Sequence, residues 1–121
     1  MKILVVEDEP LIRLGMVSLV EELGFPVLEA GHAAEAIGRM ELEPEIRLVI
    51  TDVDMPGTMD GVRLAYYLRE RWPPVQLIVV SGKAGVDPRQ LPQGARFFSK
   101  PYRDDALLAA VRELGSTGSG M

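Results

Sequence analysis

The sequence predicts one α/β domain: a parallel sheet with helices on both faces. Three observations lead there. Short, β-rich apolar runs alternate along the chain with stretches of helical spacing. The runs are continuous rather than alternating, as in strands buried on both sides. And 121 residues are enough for one core but not for two domains of ordinary size.

The elements follow in order. Ile3–Val6 reads as the first strand. From Pro10 to Leu23 a helix is predicted, with Ile12, Met16, Leu19, Val20 and Leu23 on one face and Gly24 ending it. Pro26–Ala30 is the second strand, Ala-rich Ala33–Met40 the second helix and Leu48–Ile50 the third strand. Asp60 is placed to cap a helix from Gly61 to about Trp72, where Pro73-Pro74 forces a stop. Leu77–Val80 and Ala95–Phe98 are the last strands. The final helix starts at Asp104 or Asp105 and carries Leu107, Leu108, Val111 and Leu114 at helical spacing. The domain spans residues 1–114, and 115–121 read as a flexible C-terminal tail of small residues.

One crossover breaks the pattern. Between the fourth and fifth strands lies SGKAGVDPRQLPQG, whose prolines and glycines oppose a regular helix. A loop is predicted there, with one helical turn around Pro88–Leu91.

Composition narrows the function. The absence of cysteine excludes disulfides, thiolate nucleophiles and Cys-ligated zinc. A net charge of −5 argues against a nucleic-acid footprint and suits a collector of cations. No apolar run approaches the ~20 residues of a membrane span. A cytoplasmic domain with neither nucleic-acid nor membrane partners is expected.

The chemistry concentrates at the ends of strands. Four of the five runs stop at Glu7-Asp8-Glu9, Thr51-Asp52, Ser81-Gly82 and Ser99-Lys100-Pro101. Right-handed crossovers bring such ends to one rim, where open α/β sheets bind ligands. Carboxylates crowded there repel one another, by about 4 kcal/mol per pair at ~4 Å and an effective dielectric of 20. A hard divalent cation relieves that repulsion, Mg²⁺ or Mn²⁺ in its place. A carboxylate beside such an ion, a hydroxyl and a lysine are the groups that phosphoryl transfer to aspartate requires.

VVEDEP at 5–10, DVDMPGTMDG at 52–61, VVSG at 79–82 and SKPY at 99–102 together resemble the receiver domain of two-component response regulators. The resemblance runs from residue 2 to about 114. It implies a flavodoxin-like, doubly wound sheet of five parallel strands in the order 2-1-3-4-5, with the fourth helix largely replaced by a loop. It implies Asp52 as phosphoacceptor, Asp8 as a direct Mg²⁺ ligand, Glu7 helping through water and the Asp54 carbonyl as a further ligand. Lys100 and Ser81 would contact phosphoryl oxygens, and the Lys100–Pro101 bond would be cis. Phe97 stands where many receivers carry Tyr, which removes a phenolic hydroxyl from the switch but leaves a packing switch with Ser81. Asp54 and Lys83 occupy positions that often tune phosphoryl lifetime, and they read either as a pair across the crevice mouth or as two solvated charges. The phosphoryl source would be a sensor histidine kinase or a histidine phosphotransfer protein, and the downstream protein stays unknown.

Two other readings compete. Asp52-Val53-Asp54 also resembles the nucleophile motif of haloacid-dehalogenase-type phosphohydrolases, but Pro56, the lack of room for a cap and the position of the acidic pair oppose it. A binding module that never uses phosphate would not need Asp8, Asp52, Ser81 and Lys100 together. Apart from transfer to and loss from Asp52, no enzymatic turnover is expected. Elsewhere, His32 reads as a solvated or capping residue, Tyr66, Tyr67 and Trp72 as core or rim packing, and Phe98 as core. Arg69-Glu70-Arg71 reads as a wet helix face.

Overall fold

The structure is a computed structural model; it describes residues 1–57, 59–82 and 86–119, with the side chains of 116–119 left aside. Among the described residues there are five strands and four α-helices: β1 Lys2–Val6, α1 Pro10–Glu21, β2 Val27–Ala30, α2 Ala33–Leu42, β3 Ile46–Asp52, α3 Gly61–Arg71, β4 Gln76–Ser81, β5 Arg96–Ser99 and α4 Asp104–Ser119. All pairings are parallel, in the order β2-β1-β3-β4-β5. The order reverses between β1 and β3, so a crevice opens above their carboxyl ends.

Successive strand residues point to opposite faces, and helices cover both. Leu4, Val6, Val49, Leu77 and Val79 pack with Ala36 and Met40 of α2 and Leu64, Ala65 and Leu68 of α3. On the other face, Ile3, Val5, Leu48, Ile50, Ile78 and Val80 meet Met16, Val17 and Val20 of α1 and Leu107, Val111 and Leu114 of α4. This is why the strands read as unbroken apolar runs.

Three details correct the sequence reading. Ile12 does not join the buried face of α1: it is 48% exposed, and Val17 is buried instead. The first turn of α1 stands beyond the strand ends, where there is no sheet to cover it. The backbone stays helical to Ser119, past the Leu114 at which the predicted domain closes. Gly115 is buried in that extension; a Cβ there would meet Met1 Cε at 2.9 Å and Phe25 Cζ at 3.2 Å. A helix already anchored by Leu107, Val111 and Leu114 propagates at one hydrogen bond per added residue. Arg69 is no wet residue either: its Nη1 donates to the carbonyls of Pro73 and Val75, closing the turn after α3.

Among its described residues the weak crossover carries one 3-10 turn, Pro88–Gln90, capped by the Asp87 carboxylate. Leu91 and Pro92 anchor it in the core, and Tyr66 of α3 donates its hydroxyl to the Gln90 carbonyl. His32 caps α2, its Nδ1 accepting from the Glu35 amide. Trp72 packs against Tyr67 and carries the Arg71 guanidinium on its ring. Phe98 is half-buried beside Tyr102. Among the described residues no helix is long and apolar enough to cross a membrane.

Candidate functional site

Register builds the site. Val6 of β1 lies opposite Thr51 of β3, so the next residue on each strand, Glu7 and Asp52, emerge side by side above the sheet. Asp52 in turn faces Val80 of β4, which puts Ser81 one step further along the same rim. Glu7, Asp8 and Asp52 each offer a carboxylate oxygen, and these oxygens lie within 4.8 Å of one another. Glu7 is 5% exposed and Asp52 8%, both too buried for charges in bulk water to screen them fully.

The surrounding polar groups are fixed by short local bonds. The Asp54 amide donates to Asp52 Oδ1 at 3.2 Å, and the Thr51 hydroxyl to the Asp52 carbonyl at 2.9 Å. The Glu9 amide donates to Glu7 Oε2 at 3.1 Å. Gly61 admits the start of α3: its amide donates to the Val53 carbonyl, and a Cβ there would fall 1.9 Å from the Asp52 carbonyl oxygen. Asp8, Asp54, Met55, Pro56 and Asp60 line a crevice of about 350 Å³, which Asp8 shares with the acidic cluster.

Lys100 enters from β5. Its amide donates to the Ser81 carbonyl at 2.8 Å, and the Lys100–Pro101 peptide is cis, as the resemblance implies. Its Nζ donates to Asp52 Oδ2 at 3.0 Å and lies 3.6 Å from Glu7 Oε1. Burial alone would lower the lysine's pKa, but the hydrogen bond and charge of Asp52, with the charge of Glu7, outweigh it and raise the value. Glu7 moves further, from its ordinary 4.5 to about 7, first because it is buried and then because Asp52 shares the site. The Glu9 amide and Lys100 pull the other way but do not win.

The structure thus brings Glu7, Asp8, Asp52, Asp54 and Lys100 to one rim, with Ser81 buried beside them at the end of β4. Phe97 pairs with Val79 in register and packs half-buried on the α2/α3 side of the sheet. Lys83 lies outside the described residues, so its pairing with Asp54 is not described. One residue the sequence reading passed over is Arg13, whose Nη1 donates to the Glu7 carbonyl at 2.7 Å. Its only sequence signal was a position on α1 one turn after Glu9.

A buried carboxylate flanked by two more, a lysine and a buried serine stand together at the switch point of a doubly wound sheet. A family model described as the response regulator receiver domain matches residues 3–112. The chain belongs to that family.

The relatives agree. The chain is 33% identical to the response regulator receiver protein CpdR of Brucella abortus over 93% of this chain and 95% of that one. It is 30% identical to a chemotaxis protein CheY homolog of Campylobacter jejuni, covering 99% and 96%. It is 39% identical to the sensor kinase CckA of Brucella abortus, but covers only 12% of that protein, and it covers 55% of the activator ExaE of Pseudomonas putida. The chain therefore spans much less than the length of some relatives it matches. Among solved structures, a receiver protein of Sinorhizobium medicae superposes with a TM-score of 0.89 at 26% identity, covering 98% and 97%. The response regulator TrrA of Thermotoga maritima, solved with Mg²⁺ and BeF, superposes at 0.81 and 26% identity, covering 93% and 97%.

This chain is a phosphoacceptor signalling domain of the two-component type. Nothing in these likenesses supports the haloacid-dehalogenase reading. The 2-1-3-4-5 order stands as predicted, and among the described residues the crossover from β4 to β5 holds a 3-10 turn and no α-helix.

Proposed function

We propose that Asp52 accepts a phosphoryl group in a Mg²⁺-dependent reaction and that the domain signals through the 82–98 region. The observation that carries the reading is the Glu7–Asp8–Asp52 cluster with Lys100 bonded to Asp52. Hard oxygen donors of this kind suit Mg²⁺, with Mn²⁺ as a substitute. Asp8, Asp52 and the Asp54 carbonyl would hold the ion, Glu7 would help through water, and the bound ion would neutralise phosphoryl oxygens. A carboxylate oxygen of Asp52 attacks phosphorus, the bond to the donor's imidazole nitrogen breaks, and the electron pair stays on that nitrogen. Lys100 then pairs with one phosphoryl oxygen and Ser81 donates its hydroxyl to another. That pull moves the chain around Ser81 and lets Phe97 repack. Asp54 and Lys83 tune how long the acyl phosphate survives.

The donor is a sensor histidine kinase or a histidine phosphotransfer protein in the cytoplasm, and the receiving partner is a protein. Beyond transfer and self-dephosphorylation no turnover is assigned. The test uses acetyl phosphate with Mg²⁺: the chain gains one phosphoryl mass, Asp52→Asn gains none, and p-nitrophenyl phosphate is not turned over. Labelling of Asp52→Asn at wild-type level, or steady p-nitrophenyl phosphate hydrolysis, overturns the reading.

A further inference from the structure

We infer that Arg13 is a positioning residue for the acidic metal loop, pinning the Glu7–Asp8 peptide to the neighbouring strand β2; this rests on the phosphoacceptor reading above. The peptide between Glu7 and Asp8 is planar, so holding its carbonyl holds the Cα atoms from which both side chains leave the backbone. On one side the Glu7 amide donates to the Ala30 carbonyl at 3.0 Å, at the end of β2. On the other side the Glu7 carbonyl accepts from Arg13 Nη1 at 2.7 Å.

Arg13 is itself held. Its Nε donates to Glu29 Oε1 at 2.9 Å, a charge-assisted bond. Glu29 stands on β2 opposite Val5 of β1, and its own carbonyl accepts from Arg39 Nε at 3.1 Å. The guanidinium lies against Gly31, where a Cβ would come within ordinary contact of Nη1 at 3.4 Å. The planar fork thus joins α1, β2 and the loop carrying two of the three clustered carboxylates. A lysine in its place would have one point of charge and no fork.

Charge and geometry predict opposite results. A guanidinium acting only through its charge would repel a divalent cation, so removing it would tighten Mg²⁺ binding. A guanidinium that holds the loop in place makes the opposite prediction, because outer partners of metal ligands change affinity by about tenfold or more.

The experiment titrates Mg²⁺ into the full chain and follows the amide signals of Glu7, Asp8 and Asp52, in wild type, Arg13→Met, Arg13→Lys and Glu29→Gln. Amide exchange at Glu7, Asp8 and Glu9 is measured without metal. Arg13→Met should weaken Mg²⁺ about tenfold, Arg13→Lys should recover part of that, and Glu29→Gln should give a smaller loss. Exchange at Glu9 should quicken in Arg13→Met. Its labelling by acetyl phosphate should be slow at low Mg²⁺ and return to near the wild-type rate at saturating Mg²⁺. Unchanged or tighter Mg²⁺ binding in folded Arg13→Met overturns the inference. If that variant does not fold, unchanged binding in Glu29→Gln does so. A wild-type chain that neither binds Mg²⁺ nor takes up phosphoryl is a different result, because it defeats the phosphoacceptor reading first.

Discussion

Lys100 Nζ donates to Asp52 Oδ2 at 3.0 Å across 48 residues of chain, and this bond holds the acidic rim together. It puts one positive charge beside the two most buried carboxylates, Asp52 and Glu7. Lys100→Met should therefore destabilise the metal-free protein by about 1–3 kcal/mol, since it leaves buried charge without its partner. Mg²⁺ should restore part of the loss. Urea unfolding in EDTA and in Mg²⁺ measures both, and equal midpoints for variant and wild type in EDTA would contradict the pairing.

Gly61 sets the approach of α3 to the acceptor strand. A Cβ there would lie 1.9 Å from the Asp52 carbonyl oxygen and 2.7 Å from Val53 Cα, both rigid backbone atoms. Gly61→Ala should cost about 2–4 kcal/mol by displacing that backbone. It should also slow labelling of Asp52 by acetyl phosphate, because the strand end carrying the acceptor must shift.

The raised pKa of Glu7 makes stability depend on pH. Its folded value, about 7, lies above its ordinary 4.5. The protonated form is therefore the one the fold favours. That contribution is full below 4.5, is lost as pH rises and is gone above about 7. At 1.4 kcal/mol per unit the gap corresponds to about 3.5 kcal/mol. In EDTA, wild type should lose stability relative to Glu7→Gln between pH 4.5 and 7. Mg²⁺ affinity should rise over the same window, as the proton leaves a helping carboxylate. A flat difference between the two proteins would refute the shift.

Tyr66 ties the helix-poor crossover to α3 through the Gln90 carbonyl. Tyr66→Phe removes one half-exposed hydrogen bond, worth about 1 kcal/mol or less overall. The local effect should be larger than the global one. Amide exchange at Gln90, Leu91 and Ala95 should accelerate while core amides such as Val49 stay protected.

Much of this was legible in the chain because it is local. Pro10, Gly24, Asp60 and the Pro73-Pro74 pair punctuate helices through backbone chemistry alone, and continuous apolar runs announce strands covered on both faces. The polar residues that end those runs could be assigned to one rim from handedness and parallel direction. Ile12 was misread because helical spacing says which residues share a face, not where the sheet beneath that face ends. Arg13 was missed for a related reason: its partners are a carbonyl and a carboxylate on other elements.

Residue order therefore carried the class of fold, the acidic rim and the lysine that serves it, each written in short-range pattern. Distances came from packing. That Lys100 reaches Asp52, that Glu7 is desolvated enough to hold a proton near pH 7, and that α4 continues beyond Leu114 depend on strand register and burial. Those quantities arise between elements far apart in sequence, where the close-packed core fixes separations that local propensity does not specify.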